Sequence, residues 1–270
     1  YLVAPTRRPH ELSNPITSDM AVMRTSMWPG LITAALHNLN RQIQDLRLFE
    51  LGAVFELDYD GLQQRHMLAG LALGQARPEQ WGETSREVDY YDIKQEVESV
   101  LVTLGLAPGE WSAVSDPALH PGQAAAIETG GRTIGKVGVL HPRIAQQFGL
   151  EQLAIVFELE LEKLPPTGAP AYTPISKFPS VRRDISVVLD RTVAAAAVLD
   201  TIRSAAGDLL RDLQLFDEYR GQGIDSDKKS LAMGLIFQAS SSTLRDEEIE
   251  ETMERVLLQL HADFGGALRK

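Results

Sequence analysis

The chain contains no cysteine, which removes disulfide staples, thiol catalysis and cysteine-based zinc sites together. No apolar run approaches the ~20 residues a membrane-crossing helix needs, and no signal peptide is visible. Positive charge is in deficit, with 26 Lys+Arg against 37 Asp+Glu and a net charge of −11. A chain this acidic is not drawn to nucleic acid or anionic membrane by its overall field, so any polyanion partner must be held by a local patch. The first residue is Tyr1 rather than Met, which reads as a fragment of a longer, cytoplasmic protein. What is present is ordinary for a globular protein: 270 residues, 44% hydrophobic, 23% charged, with 21 Gly and 14 Pro. These values exclude collagen, coiled-coil rods and wholesale disorder, and leave room for one large domain or two average ones.

The clearest boundary is Leu164-Pro165-Pro166-Thr167-Gly168-Ala169-Pro170, followed by Pro174 and Pro179, a stretch that denies helix and central strand alike. It predicts domains at 1–163 and 176–270 joined by an extended linker at 164–175. The later part, from residue 177 on, is nearer neutrality, with 13 basic and 16 acidic residues.

Upstream, Pro29 suits a helix N1 position and a helix over Pro29–Gln42 carries an apolar stripe of Leu31, Ile32, Ala35, Leu36 and Leu39. Phe49, Leu51, Ala53, Phe55 and Leu57 alternate, predicting a strand with those residues on its buried face. His66–Leu73 is a further apolar run, and Ile93, Val97, Val100, Leu101 and Leu104 form a helical stripe stopped by Gly105. Thr129-Gly130-Gly131-Arg132 predicts a hairpin turn, Pro142–Phe148 a short helix ended by Gly149, and Ala154–Leu161 a strand. Hairpins without regular βαβ alternation predict an α+β fold, an antiparallel sheet with helices packed on it. Downstream, strands are expected at Asp184–Asp190, Leu213–Tyr219, Leu231–Gln238 and Gly266–Lys270, with helices over Val193–Ala206 and after a capping box at Thr243–Asp246. That order, β-α-β-β-α-β, is ferredoxin-like.

Catalytic signatures are missing. His10, His37, His66, His120, His141 and His261 show no close ligand spacing, so packing or solvent exposure is the default reading for each. There is no Walker loop or nucleophile elbow, Gly221-Gln222-Gly223 is a lone glycine pair, and Glu247-Glu248 suit the first turn of a helix.

A resemblance is nevertheless specific. Asn14-Pro15-Ile16-Thr17, Met23-Arg24-Thr25-Ser26-Met27-Trp28-Pro29-Gly30-Leu31, Asn38-Leu39-Asn40-Arg41 and Leu48-Phe49-Glu50-Leu51-Gly52 resemble blocks of the β subunit of bacterial phenylalanyl-tRNA synthetase. Asp89-Tyr90-Tyr91-Asp92-Ile93-Lys94, Leu119-His120-Pro121-Gly122-Gln123 and Gly138-Val139-Leu140-His141-Pro142 continue the similarity in order. So do Lys177-Phe178-Pro179-Ser180-Val181-Arg182-Arg183-Asp184-Ile185, Leu215-Phe216-Asp217-Glu218-Tyr219-Arg220-Gly221, Lys229-Ser230-Leu231-Ala232 and Thr243-Leu244-Arg245-Asp246-Glu247-Glu248. The resemblance covers about Ser13 to Lys270, the last part of a chain several times longer. It implies a class II synthetase-like core without synthetase chemistry, then a ferredoxin-fold anticodon-binding domain. It also implies an α subunit that holds the active site in a heterotetramer of two α and two β chains, with tRNA(Phe) as partner and no membrane. ATP and magnesium are implied for the holoenzyme only, with no cofactor, metal or catalytic residue in this part.

The residues agree that the core is silent. A class II core grips ATP phosphate with an Arg after an aromatic residue. The nearest form here, Phe55-Glu56-Leu57-Asp58, puts Glu56 in that place, and no Gly-x-Gly pair precedes the linker. Candidate RNA contacts are Lys177, Arg182, Arg183, Arg220, Lys228 and Lys229 as cations, with Phe216 and Tyr219 as stacking rings. On a regular strand Phe216 and Tyr219 point to opposite faces, so only one reaches RNA unless a bulge intervenes. The bland alternative pairs Arg182 and Arg183 with nearby acids and buries Phe216. At the level of function the alternative is a purely structural docking partner of the catalytic subunit, with the Ala35–Leu39 helix face and residues 24–50 expected to meet a second synthetase core.

Overall fold

The computed structural model describes every residue except 1, 2, 5, 6, 169–171, 173, 240, 241 and 270. The chain packs as two compact units, Tyr1–Pro170 and Ala171–Lys270. The expected linker at 164–175 falls partly outside the described residues.

The first unit runs α1 (Trp28–Leu39), β1 (Leu46–Asp58), β2 (Gly61–Leu73), α2 (Tyr90–Thr103), β3 (Glu110–Ala113), β4 (Leu119–Thr129), β5 (Arg132–Leu140), α3 (Pro142–Phe148) and β6 (Ala154–Glu160). Its six strands form one sheet in the order β1-β2-β6-β5-β4-β3, with every pairing antiparallel. Gly130 and Gly131 both take positive φ in the β4–β5 turn, which only glycine does without strain. The sheet is covered on both faces. Trp28, Leu31, Ile32 and Ala35 of α1 pack with Leu46, Val54, Met67 and Leu71 on one side. Ile93, Val97 and Leu101 of α2 pack with Ile127, Val137, Ile155 and Leu159 on the other. Each such burial removes apolar surface worth roughly 1.5–3 kcal/mol per large side chain.

Three expectations are corrected here. Helix α1 starts at Trp28, one residue before Pro29, and stops at Leu39, because Gln42 already has a φ of 66°. In β1 the residues facing the α1 core are Leu46, Leu48 and Val54, while Phe49 is 78% and Leu51 66% exposed. Both sides of this sheet are apolar, so alternation alone does not say which set is covered, and α2 stops short of the β1 edge. The Ala35–Leu39 face is packed into its own unit, with Ala35 wholly buried and Leu36 and Leu39 against the same core.

The β1 edge is itself half covered. The N–H groups of Phe55 and Leu57 donate outward to the carbonyls of Arg24 (2.8 Å) and Arg8 (2.9 Å), and Arg24 Nε donates to the Ala53 carbonyl at 2.8 Å. Beyond Leu51 toward Leu46 no such cover is present among the described residues. A cavity of about 320 Å³ opens there between β1, β2 and α2, lined by Leu48, Phe49, Leu68, Ile93, Val100 and Phe157.

The second unit runs β7 (Val181–Asp190), α4 (Ala195–Ala206), β8 (Leu210–Tyr219), β9 (Lys228–Phe237), α5 (Asp246–Phe264) and β10 (Ala267–Leu268), and the sheet order is β10-β7-β9-β8. This is the ferredoxin-like β-α-β-β-α-β order. Ile185, Val187 and Leu189 of β7 and Leu231, Met233, Leu235 and Phe237 of β9 bury against Val198, Ile202, Ile249, Val256 and Leu260 of the two helices. Both helices lie on that face, leaving the other open. The expected capping box is displaced by two residues: Arg245, not Thr243, precedes the first turn of α5, and Glu248 accepts a hydrogen bond from the Arg245 backbone N–H at 2.9 Å. Strands β7, β8 and β9 each begin three residues earlier than expected.

Candidate nucleic-acid interface

The open face of the second sheet is set by strand parity. Residues opposite each other in a ladder share a face, so the rows can be read across. Asp212, Ile236 and Arg182 form one row, Gln214, Gly234 and Asp184 the next, and Asp217, Ala232 and Ser186 a third. Tyr219, Ser230 and Val188 make the fourth.

Phe216 is the exception, and it matters. The β8–β9 register shifts between Leu215 and Asp217, so Phe216 is the extra residue of a bulge. Before it Leu213 and Leu215 face the helices, whereas after it Asp217 and Tyr219 face outward. The bulge therefore lets Phe216 and Tyr219 serve the same side, and Phe216 is 49% exposed. Arg182 lies beside it, its guanidinium carbon 5.5 Å from the ring centroid, with Nε donating to Asp184 at 2.7 Å. Gly234 makes room for this: an added Cβ would meet Arg182 Nη2 at 2.9 Å and Nε at 3.0 Å. Across the sheet the Arg269 guanidinium lies 4.6 Å from the Tyr219 ring centroid.

The other sequence-nominated cations are dispersed. Arg183 has the opposite parity and reaches Asp246 at the start of α5, 3.4 Å away. Lys229 is buried on the helix side, opposite Leu189. The hydrogen bonds from Thr192, and less strongly the charges of Lys228 and Lys229, hold the Asp190 carboxyl below the usual carboxylate range. Lys228 pairs with Asp225 at 3.1 Å, and Arg220 pairs with Glu218, both around the exposed β8–β9 loop. Lys177 is exposed in the segment leading into β7, where Ser176 Oγ donates to the Ala239 carbonyl at 2.8 Å. The structure thus groups Arg182, Phe216 and Tyr219 on one face, leaves Lys177 and Arg220 outside the strands and Lys228 at the first position of β9, and turns Arg183 and Lys229 away. Sequence reasoning missed Gly234 and Arg269. An isolated glycine within a strand pattern is the one available signal for the first, and nothing local marks the second.

Among the described residues, the first unit offers no comparable face for a nucleotide. Glu56 accepts from Arg65 and lies 3.8 Å from Arg7 Nε, and Arg65 also approaches Glu160 at 3.8 Å. A carboxylate already bridged by two guanidinium groups does not fit a phosphate. No group of three or more metal-ligating side chains occurs among the described residues. Nor does any helix there have the length and apolarity to cross a membrane.

An antiparallel sheet sandwiched by helices, followed by a ferredoxin-like unit with an open, ring-bearing face, defines a two-unit α+β protein. Comparison with known proteins makes this particular. The family profile described as "Phenylalanyl tRNA synthetase beta chain CLM domain" matches residues 2–161, and "Ferredoxin-fold anticodon binding domain" matches residues 176–269. The chain belongs to the phenylalanyl-tRNA synthetase β chain family. It is 46% identical over its full length to the phenylalanine–tRNA ligase β subunit of Pseudomonas savastanoi pv. phaseolicola, covering 34% of that protein. It is 42% identical over 99% of its length to the same subunit of Methylococcus capsulatus, again covering 34%. The chain therefore spans about a third of the length of these curated relatives. A solved pyrrolysyl tRNA synthetase of Desulfitobacterium hafniense overlaps 56% of this chain and 51% of its own at TM-score 0.40 and 16% identity, too remote to add to that.

Proposed function

We propose that this chain is the C-terminal part of the β subunit of a cytoplasmic phenylalanine–tRNA ligase, and that it recognises the anticodon loop of tRNA(Phe) while an α subunit carries catalysis. The observation that carries the reading is the open sheet face of a domain whose family profile is anticodon-binding, with Arg182, Phe216 and Tyr219 brought to one side. Unpaired bases stack on rings and guanidinium planes, whereas a duplex keeps its bases to itself. Lys177, Arg220 and Lys228 supply phosphate contacts from the strand ends and the segments beside them, and the ATP and magnesium of aminoacylation belong to the α subunit in an assembly of two α and two β chains. The functional boundaries are taken as 1–163, 164–175 and 176–270. The test is binding of the whole chain to a tRNA(Phe) transcript and to one whose anticodon loop is closed into extra duplex. Preference for the open loop supports the reading, and equal binding overturns it.

A second reading, docking of the catalytic subunit, is favoured by the bare Phe49 and Leu51 on β1. Co-purification of an α chain that is lost in a Phe49→Glu/Leu51→Glu variant, with folding intact, would support it.

A further inference from the structure

Helix α2 stops short of the β1 edge, and the residues of β2 beneath that gap are small. On this face the ladder reads in rows, Arg47–Ala72–Ile155, Phe49–Gly70–Phe157 and Leu51–Leu68–Leu159. The middle row has no side chain at its centre. Phe157 fills the floor instead, since a Cβ added at Gly70 would meet its ring atom Cζ at 2.8 Å. Ile93, Glu96 and Val100 follow at helical spacing along α2 and form the roof. The recess so enclosed is the cavity of about 320 Å³, ample for an aromatic ring, because apolar protein cavities of half that size take up benzene.

Two charges stand in these otherwise apolar rows. Arg47 takes a place in the alternation that continues with Phe49 and Leu51, and Glu96 lies between Ile93 and Val100. They meet at the mouth of the recess, where Arg47 Nη1 donates to Glu96 and Nη2 donates to the Ala76 carbonyl at 2.8 Å. An exposed ion pair of this kind adds little stability. Neither partner is exhausted by it: among the described residues only two of the guanidinium N–H groups and one Glu96 oxygen are engaged. Asp92, one turn earlier on α2, is already taken by Arg86 in two bonds of 2.7 Å. Beyond the pair a polar hollow lined by Arg77, Gln95 and Ser99 keeps the mouth open to water.

The paired charges select the ligand. A group with one net charge meets its like across the pair, whereas a zwitterion lays its carboxylate on the guanidinium and its ammonium on the carboxylate. We propose that this recess binds a free α-amino acid with an aromatic side chain, its ring between Phe49 and Phe157 and its zwitterionic end across Arg47 and Glu96. The site lies wholly in the first unit and does not depend on the RNA reading above.

The test is calorimetric titration of the whole chain with L-tryptophan, beside tryptamine, indolepropionate and L-alanine. Tryptamine lacks the carboxylate and indolepropionate the ammonium. Each should bind at least about tenfold more weakly, the loss of one charged hydrogen bond, and alanine should not bind. Glu96→Gln should weaken tryptophan to the level of indolepropionate and leave indolepropionate no weaker. Arg47→Gln should bring tryptophan down to tryptamine in the same way. Val100→Phe, at a half-buried position in the roof, should block the ring and abolish binding with the chain still folded. Tryptophan binding that a folded Val100→Phe leaves intact would put the ligand elsewhere and overturn the proposal. Equal affinity for the three indoles would reduce the recess to an apolar patch and overturn the amino-acid assignment. Absence of saturable tryptophan binding overturns it outright. Should Val100→Phe fail to fold, the matched pairs of ligand and charge variant decide alone.

Discussion

Truncation of Phe216 to Ala separates a displayed ring from a structural one. Were the ring a core residue, its loss would cost about 3–5 kcal/mol. It is instead 49% exposed, lies outside the second unit's buried cluster and sits on a bulge. Full burial of a Phe side chain contributes about 1.5–3 kcal/mol, so half burial contributes roughly 1. A guanidinium beside an exposed ring adds about 0.5–1 kcal/mol. The expected loss is therefore about 1.5–2 kcal/mol. Phe237, wholly buried on β9, is the internal comparator and should cost about 3–5 kcal/mol on truncation. A two-unit chain has no single unfolding free energy, so the measurement must be local. Amide hydrogen exchange at Leu231, Met233 and Leu235, buried in β9, reports opening of this unit alone. Equal losses in Phe216→Ala and Phe237→Ala would refute the claim that the bulge turns the ring outward.

In the first unit, Glu158 is 2% exposed and accepts from Ser26 Oγ at 2.7 Å and the Met27 N–H at 2.6 Å, so Glu158→Ala orphans two buried donors. The cost should be about 2–5 kcal/mol in urea unfolding followed by tryptophan fluorescence, and a loss under about 1 would count against it. That signal is specific to this unit, since all the tryptophans, Trp28, Trp81 and Trp111, precede residue 170. The hydrogen bond from Arg86 holds the Asp92 carboxyl down from 3.8 to about 2, against a smaller opposing effect of burial. A depressed carboxyl stabilises the fold above its unfolded value and loses that as pH falls through the folded one, so the stability gap between wild type and Asp92→Asn should shrink from pH 5 to pH 2. A constant gap would contradict it. Gly234→Val should push Arg182 off Phe216 and weaken RNA binding several-fold. Unchanged binding with the fold intact would show that the Arg182 position is immaterial. The chain alone, given phenylalanine, ATP and pyrophosphate, should show exchange no greater than a blank, because Glu56, already held by Arg65 and Arg7, does not fit a phosphate.

The second unit was the more legible half. Its strands have one apolar face, so Ile185, Val187 and Leu189 announce both the strand and its inside. The first unit's sheet is covered twice, and the same alternation in Phe49–Leu57 pointed to the wrong side because it carries no record of how far α2 reaches. Strand β3, with only Trp111 half buried, left no periodic trace. At the candidate site, composition located the rings and cations, but the parity of Phe216 depends on one inserted residue that no propensity marks. Arg269 meets Tyr219 across the two intervening strands β7 and β9, a distance no local pattern spans.

The half-covered edge of β1 also bears on handling. A row of outward N–H and C=O groups is a template for another strand, and natural sheets blunt such rows to prevent stacking edge to edge. Here the chain blunts its own edge from Ala53 to Leu57 with the arm that carries Arg8 and Arg24, and leaves Leu46–Leu51 bare beside an apolar cavity. The arm is thus a stopper on the growth of the sheet. Proteolytic trimming of the arm through Arg24 would lengthen the bare template through Leu57, and the preparation would self-associate at lower protein concentration even with both cores folded.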